Sequence, residues 1–174
     1  PCQNPTGYSM TTAEWAKVTA CLLAHATSTN APITLLVDCA YYAYGANDPR
    51  AFMKELHPLL GKVGLLFAWS ASKTFTHYGL RVGALVACMP DPKERAMTDA
   101  ALSYSARGTW SNCNRGGLRA VTRLLTDPAM IKSCDAERDG FKALLRARVD
   151  RWNLRALAAK LVYPRYDGGF FVTV

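Results

Sequence analysis

The sequence predicts an α/β fold in which a mostly parallel sheet lies between helices. Short, continuous apolar runs at 33–37, 63–69 and 80–88 are typical of strands that are covered on both faces. Helical patterns precede and follow these runs, and the last of the helical patterns is long. Strands with crossover helices, followed by a connecting helix, favour an α/β architecture.

The first half of the chain is predicted to hold one helix and the three strands. Thr11 or Thr12 together with Glu14 forms a capping-box pattern, which predicts a helix that continues to about Ala26. Polar residues stand directly after two of the strands, because Asp38 ends the first run and Ser70 ends the second. The strands themselves are expected at Ile33–Val37, Val63–Trp69 and Leu80–Cys88.

The second half is predicted to be helical. In its last helix, apolar residues recur one turn apart from Phe141 to Trp152, which gives the helix one apolar face. Pro164 and the pair Gly168-Gly169 then end the helix and are expected to lead into a new strand. The helices are expected at roughly Asp91–Arg107, Arg115–Leu125 and Ala129–Leu161.

The composition is that of a globular domain with a basic surplus. The chain has 174 residues, half of them apolar, and a formal net charge of +8, so it is long enough to bury one sizeable core. The surplus lies mainly at helical spacing within 138–165, which favours a solvated helix face over a nucleic-acid site. No apolar run approaches the ~20 residues of a membrane span, so we expect neither nucleic acid nor membrane as partner.

The six cysteines are dispersed and form no CxxC pair. Several lie inside apolar segments, which predicts reduced and mostly buried thiols in a cytoplasmic protein. The three histidines lack the spacing of metal ligands, so no metal site is predicted. The chain begins at Pro1 and stops within the apolar run Phe170–Val174, which we interpret as a fragment of a longer polypeptide.

The ends of the predicted strands carry polar residues whose chemistry is complementary. Ligands in parallel α/β sheets gather at the carboxyl ends of the strands. A lysine with a lowered pKa forms Schiff bases, an aspartate holds a proton on a pyridine nitrogen, and arginine with serines binds phosphate. Together these groups match pyridoxal 5′-phosphate (PLP). The residues are Asp38, Tyr41, Ser70, Ser72, Lys73 and Arg81.

Each of these residues also has a simpler interpretation. Asp38 at a strand end is a common turn or helix cap, Lys73 can extend its amine into solvent, and Asn4 before Pro5 fits a plain turn. The alternatives stay open for each residue taken alone.

The motifs taken together resemble those of the class I aminotransferases, which are fold-type I PLP enzymes. The motifs are Asn4-Pro5-Thr6-Gly7, Asp38-Cys39-Ala40-Tyr41, and Ser70-Ala71-Ser72-Lys73 followed by Arg81-Val82-Gly83. The resemblance covers essentially the whole chain and implies part of a PLP-binding large domain with its mostly parallel sheet. It divides the chain into 1–130 in that domain, 131–162 as the long connecting helix and 163–174 as the start of a truncated small domain.

The resemblance assigns a role to each residue at the strand ends. Lys73 would form the Schiff base with PLP and move the substrate proton, and Asp38 would keep the pyridine nitrogen protonated. Tyr41 and Asn4 would hydrogen-bond the phenolic oxygen of the cofactor. The phosphate would be bound by Ser70 and Arg81, with Ser72 as a less certain helper.

A further segment, Ser105–Asn112, resembles the aspartate and aromatic aminotransferases. There, an arginine that corresponds to Arg107 reaches the active site of the neighbouring subunit and pairs with the side-chain carboxylate of the substrate, and Ser111 would assist. The simpler interpretation is that Arg107 neutralises a helix C-terminus. The sequence departs from the family where Cys113-Asn114 replaces the usual pair of prolines, which leaves the local loop shape open.

The resulting expectation is a homodimeric, PLP-dependent transaminase. It would transfer an amino group between an acidic or an aromatic amino acid and a 2-oxo acid. A C–S lyase of the same fold type, or an inactive proteolytic core of the parent enzyme, remains the alternative. Because an aromatic ring-stacking residue and a second substrate arginine would lie outside the sequence, this chain alone is expected to lack a full active site.

Overall fold

In a computed structural model, the described residues of the protein form three strands and six α-helices. Residues 2–29, 31–45 and 48–174 are described. The α/β class predicted from the sequence is confirmed. Three short 3₁₀ turns, Tyr42–Tyr44, His57–Leu59 and Tyr78–Leu80, link the longer elements. In chain order the α-helices and strands are α1 Thr12–Ser28, β1 Thr34–Asp38, α2 Phe52–Leu56, β2 Gly64–Ser70, α3 Ala71–Thr74, β3 Gly83–Cys88, α4 Pro92–Trp110, α5 Arg115–Thr126 and α6 Pro128–Ala158.

The described strands form one mixed sheet in the order β1-β2-β3. β1 pairs with β2 in parallel, and Asp38 lies opposite Ala68. β2 pairs with β3 in antiparallel orientation, and Ser70 lies opposite Gly83. The expected parallel arrangement therefore holds for the first pair of strands and not for the second.

The connection between β2 and β3 holds no helix long enough to carry the chain back along the sheet. A parallel crossover must carry the chain back along the whole strand, which is about 23 Å for seven residues. The helix between β2 and β3 has four residues and spans only about 6 Å. Leu80 also lies in a 3₁₀ turn and Arg81 has the left-handed φ of 53°, so the strand begins at Gly83 and not at Leu80.

The main core lies between the sheet and α1, α2 and the turn after α2. Thr11 caps α1 in the predicted capping box, because its hydroxyl accepts from the Glu14 backbone N–H while the Glu14 carboxylate accepts from the Thr11 N–H. Leu56 and Leu59 are almost completely buried. The other buried members of this cluster are Trp15, Val37, Cys39, Phe52, Val63 and Leu65.

A second cluster joins the end of β2 to the helical half. Ala71, Phe75 and Val82 pack here against Val121 of α5. Side chains also cap the three helices of the second half at their N-termini, namely Asp91 for α4, Asn114 for α5 and Asp127 for α6. α6 runs unbroken for 31 residues, and its apolar face is only partly buried, since Val149 is 1% and Phe141 52% exposed.

The last segment of the chain packs against the first without forming a strand. The predicted strand after Gly168-Gly169 is wrong, because no residue of 161–174 is in a helix or strand. Backbone N–H groups of Asp167 and Gly169 instead donate to the carbonyls of Gly7 and Tyr44. These hydrogen bonds to loop carbonyls, together with the packing of Phe170 on Tyr44, hold the segment in place outside any sheet.

Exposure differs from the sequence-based expectation in two respects. Leu36 of β1 and Val86 of β3 are 57% and 50% exposed, so these strands are not covered on both faces by the described residues. The six cysteines are free, but only Cys2 and Cys39 are buried, while Cys21 and Cys113 are exposed. The prediction of mostly buried thiols is therefore wrong.

The described part of the chain shows neither a membrane-spanning helix nor a cluster of metal-binding side chains. No helix there combines the length and the apolar character needed to cross a membrane. In the same residues, no group of three or more His, Cys, Asp and Glu side chains could hold a metal ion.

Candidate functional site

The parallel pairing of β1 and β2 brings the predicted strand-end residues to one edge of the sheet. Asp38 lies beside Ala68, so Ser70 follows two residues further along the neighbouring strand. Ser70 is also the N-cap of α3, and its hydroxyl accepts from the Ser72 backbone N–H at 3.1 Å. This cap starts the helical turn that carries Lys73, and Lys73 is thereby fixed just beyond the end of β2.

Lys73 places its amine among aromatic rings. Its Nζ lies 4.3 Å from the ring centroid of Tyr78 and 5.7 Å from that of Tyr41. The Tyr44 hydroxyl donates to the Lys73 backbone carbonyl at 3.0 Å. No carboxylate among the described side chains lies within ion-pair distance of Lys73. Lys73 is half-buried, and its amine contacts aromatic rings and no described carboxylate.

Tyr41 is a buried phenol that is fixed from two sides. Asn4 Nδ2 donates to the Tyr41 hydroxyl at 3.4 Å, a long hydrogen bond across 37 residues of sequence. The ring of Phe170 meets that of Tyr41 edge-on, with centroids 5.3 Å apart. The predicted pair Asn4 and Tyr41 is thus brought together, and the end of the chain packs beside it.

Arg81 lies exposed next to the aromatic ring under Lys73. Its guanidinium carbon is 5.2 Å from the Tyr78 ring centroid, and its Nη1 donates to the Tyr78 carbonyl at 3.0 Å. The following Gly83 approaches β2 so closely that a Cβ there would be 2.8 Å from the Trp69 carbonyl oxygen. The Arg-Val-Gly sequence therefore needs its glycine to bring Arg81 against the end of β2.

Asp38 presents an exposed carboxylate at the same edge. Its Oδ1 accepts from the Ala40 backbone N–H at 2.8 Å, which is the turn-forming contact that the simpler interpretation required. The described residues place no cation within salt-bridge distance of it. The turn leaves the other oxygen available to a ligand, so the two interpretations are compatible.

Arg107 and Ser111 form a separate pair at the C-terminal end of α4. Arg107 Nη1 donates to the Ser111 hydroxyl at 3.0 Å and to the Ser111 carbonyl at 3.2 Å. Both residues are exposed. The arginine thus stabilises the helix C-terminus, as the simpler interpretation held, and still presents its outer face to solvent.

The sequence interpretation missed three aromatic residues that shape this edge. Tyr78 supports both Lys73 and Arg81, Tyr44 hydrogen-bonds the Lys73 backbone, and Phe170 packs on Tyr41 and Tyr44. Burial raises the pKa of Tyr44 above its ordinary value, so this phenol stays a hydrogen-bond donor. The place of Tyr78 in the sequence, between Lys73 and Arg81, is the signal from which its role could have been predicted.

The arrangement brings together an amine, a carboxylate, a phenol and a guanidinium with nearby hydroxyls. An amine among aromatic rings can form a covalent imine with an aldehyde. The guanidinium and the hydroxyl of Ser70 can bind an oxyanion such as phosphate. The carboxylate can pair with a cationic heterocycle, and the phenol can donate to a ring oxygen.

Comparison with known proteins identifies the family of the chain. The sequence model of the aminotransferase class I and II family matches residues 1–174, and the chain belongs to that family. The tyrosine aminotransferase of Klebsiella pneumoniae is 28% identical over 175 residues, covering 98% of this chain and 42% of the relative.

Two solved structures are similar in fold as well as in sequence. An aminotransferase from Anaerococcus prevotii has a TM-score of 0.87 at 32% identity, covering 98% of this chain and 42% of that one. The aromatic-amino-acid aminotransferase of Burkholderia pseudomallei, solved covalently bound to pyridoxal phosphate, has a TM-score of 0.79 at 25% identity, covering 97% and 42%. The chain therefore spans about 42% of the length of these relatives.

Proposed function

We propose that the protein containing this chain is a PLP-dependent aminotransferase, and that Lys73 is the residue that holds PLP covalently. The observation that carries the proposal is the convergence of Lys73, Asp38, Tyr41 and Arg81 at the carboxyl edge of β1 and β2. Family membership supports the same class of activity.

The residues at this edge fit PLP group by group. When bound, PLP supplies an aldehyde that condenses with an amine and a ring that withdraws electrons from the substrate. Lys73 is the amine, and its Nζ is also the base that would move the substrate proton. Asp38 would hold the proton on the ring nitrogen, and the Tyr41 hydroxyl, itself oriented by Asn4, would donate to the ring oxygen.

The phosphate of PLP would be bound by Arg81 together with the hydroxyl of Ser70. The Ser70 hydroxyl already accepts from the Ser72 N–H, so its proton remains available to an anion. Ser72 is the less certain member of this group, because the described contact uses its backbone and not its side chain.

Arg107, with Ser111, is proposed to bind the side-chain carboxylate of an acidic substrate in the neighbouring subunit. The amino donor would be an acidic or aromatic amino acid and the acceptor a 2-oxo acid. Arginine suits this role because its planar fork pairs with a carboxylate through two parallel hydrogen bonds. The exposed guanidinium and its bond to the Ser111 hydroxyl support a clamp that acts outside its own subunit.

A homodimer is part of the same proposal. α4 exposes the large side chains of Met97, Tyr104 and Trp110, which are 64%, 84% and 65% exposed, and such apolar exposure is typical of contact surfaces. We further propose a cytoplasmic protein in which 1–130 belong to the large domain, 131–162 form the connecting helix and 163–174 begin the small domain.

The substrate clamp is tested by replacing Arg107 with alanine in the full-length protein. Loss of hydrogen bonds to a charged group predicts a fall in kcat/KM for aspartate of about ten- to a hundredfold. Activity with a neutral amino acid should change little. Arg95→Ala, an exposed arginine of the same helix, is the matched control.

The outcome separates transamination of acidic substrates from the alternatives. Equal losses with aspartate and with a neutral amino acid would remove the clamp. Release of a thiol from a cysteine conjugate, without amino transfer, would instead identify a C–S lyase. A protein that takes up no PLP would be the inactive core.

A further inference from the structure

We propose that Asn114 is a positioning residue for Arg81, and that it acts by fixing the backbone on which the phosphate-binding guanidinium is mounted. The inference rests on the proposed function, because it assigns Arg81 to the phosphate of PLP. It concerns one of the two positions at which this chain departs from the family's usual pair of prolines.

The side-chain amide of Asn114 makes two different hydrogen bonds. Its Oδ1 accepts from the Gly117 backbone N–H at 3.0 Å and so caps α5. Its Nδ2 donates to the Leu80 carbonyl at 3.3 Å, across 34 residues of sequence. A helix cap needs only the acceptor, so the donated bond to Leu80 is an addition that the cap does not require.

The Leu80 carbonyl belongs to the peptide group that leads directly into Arg81. Arg81 has φ 53° and ψ 48°, the left-handed conformation that a residue other than glycine adopts only when its surroundings impose it. On the far side, the Val82 carbonyl accepts from the Ala71 backbone N–H at 3.0 Å. The peptide groups before and after the Arg81-Val82 pair are thus each held by one hydrogen bond, and Asn114 supplies the first.

The packing of α5 brings Asn114 close enough to make this bond. A Cβ added at Gly117 would lie 2.6 Å from Val82 Cγ2 and 3.4 Å from Leu80 Cβ, and glycine avoids these contacts. The first turn of α5 therefore sits directly on the Leu80–Val82 segment. Arg81 and Asn114 also line one open cavity of about 500 Å³.

The contacts distinguish positioning from capping alone. A proline at 114 has no donor group and could not bond the Leu80 carbonyl. Asn114 therefore provides a contact that the family's usual residue cannot make. The Nδ2 bond of Asn114 therefore helps to hold the backbone before Arg81, whereas its Oδ1 bond caps α5.

The test compares Asn114→Ser with Asp127→Ser in the full-length protein. Serine keeps an acceptor for the cap in both variants, but only Asn114→Ser removes the amide donor to Leu80. PLP is titrated into the apoprotein and its affinity is measured from absorbance. Pyridoxal, which lacks the phosphate, is titrated in parallel.

Positioning through Arg81 predicts a selective effect. Asn114→Ser should weaken PLP binding about three- to tenfold, as the loss of one hydrogen bond allows. Pyridoxal affinity should not change, and Asp127→Ser should behave as the wild type with both ligands. In an Arg81→Ala background, Asn114→Ser should have no further effect on PLP affinity.

Other results overturn the inference in distinguishable ways. Unchanged PLP affinity in Asn114→Ser refutes the positioning role and leaves the proposed function standing. Equal weakening of PLP and pyridoxal shows a general disturbance of the fold, which also refutes it. A wild-type protein that binds neither ligand contradicts the proposed function itself, and the inference fails with it.

Discussion

Gly117 in α5 is the position at which the contact between the helical half and the Arg81 segment can be tested most sharply. Alanine there would place its Cβ 2.6 Å from Val82 Cγ2, whereas carbon atoms in contact lie about 3.5–4.0 Å apart. Val82 is 3% exposed and branched at Cβ, so it cannot rotate away freely. The helix and the segment must therefore separate by about 1 Å.

The expected change in the free energy of unfolding of Gly117→Ala is the sum of two opposing effects. Overpacking of this kind costs about 1–3 kcal/mol, while alanine gains at most about 1 kcal/mol over glycine in helix propensity. Gly117→Ala should therefore lower the free energy of unfolding by about 1 kcal/mol. Gly140→Ala in α6 is the matched control, because nothing lies within 4 Å of the added Cβ, and it should raise stability by about 0.5–1 kcal/mol.

Urea unfolding followed by circular dichroism measures both variants, and an unchanged m-value shows that the midpoint reports stability. Gly117→Ala should lower the free energy of unfolding and Gly140→Ala should raise it. If Gly117→Ala stabilised the protein as much as Gly140→Ala, the close contact between α5 and Val82 would be wrong. α5 would then not hold the Arg81 segment in position.

Two further predictions concern stability. Glu14 accepts hydrogen bonds from Arg165, from the Tyr8 hydroxyl and from the Thr11 N–H, and these bonds hold the pKa of its carboxyl well below its usual range. The resulting stabilisation of the folded state is complete above pH 4.5 and is lost progressively as the pH falls below that value. Glu14→Gln should therefore lower the urea midpoint at pH 7 and differ less from the wild type at pH 3, and an equal difference at both values would contradict the network. Leu59→Ala, at a side chain that is 0% exposed, should cost about 2–5 kcal/mol, and a loss below 1 kcal/mol would show that Leu59 is not in the core.

Local patterns sufficed to predict most elements of the fold. The Thr11–Glu14 capping box marked the start of α1, and the apolar runs ending at Asp38 and Ser70 located β1 and β2. These signals lie within a few residues of the feature they predict. Asp38, Ser70 and Lys73 could be placed at one edge for the same reason, since Asp38 and Ser70 end their strands and Lys73 comes three residues after Ser70.

The remaining features depend on contacts between distant segments. β3 runs antiparallel to β2 after a connection whose only α-helix has four residues, and Phe170 packs on Tyr41 and Tyr44 in a segment that forms no strand. Asn114 looked like an unexplained departure until its amide was found to reach Leu80. No periodicity or local motif encodes such contacts, so only the folded arrangement reveals them.

The central claim is that Lys73 holds PLP covalently, and chemical trapping tests it directly. The full-length protein is loaded with PLP, reduced with borohydride and digested, and the labelled peptide is identified by mass spectrometry. The label should lie on Lys73, and Lys73→Ala should take up none. Lys54 is an exposed lysine of α2, and Lys54→Ala should be labelled as the wild type. A label on another lysine, or none at all with intact protein, would contradict the account.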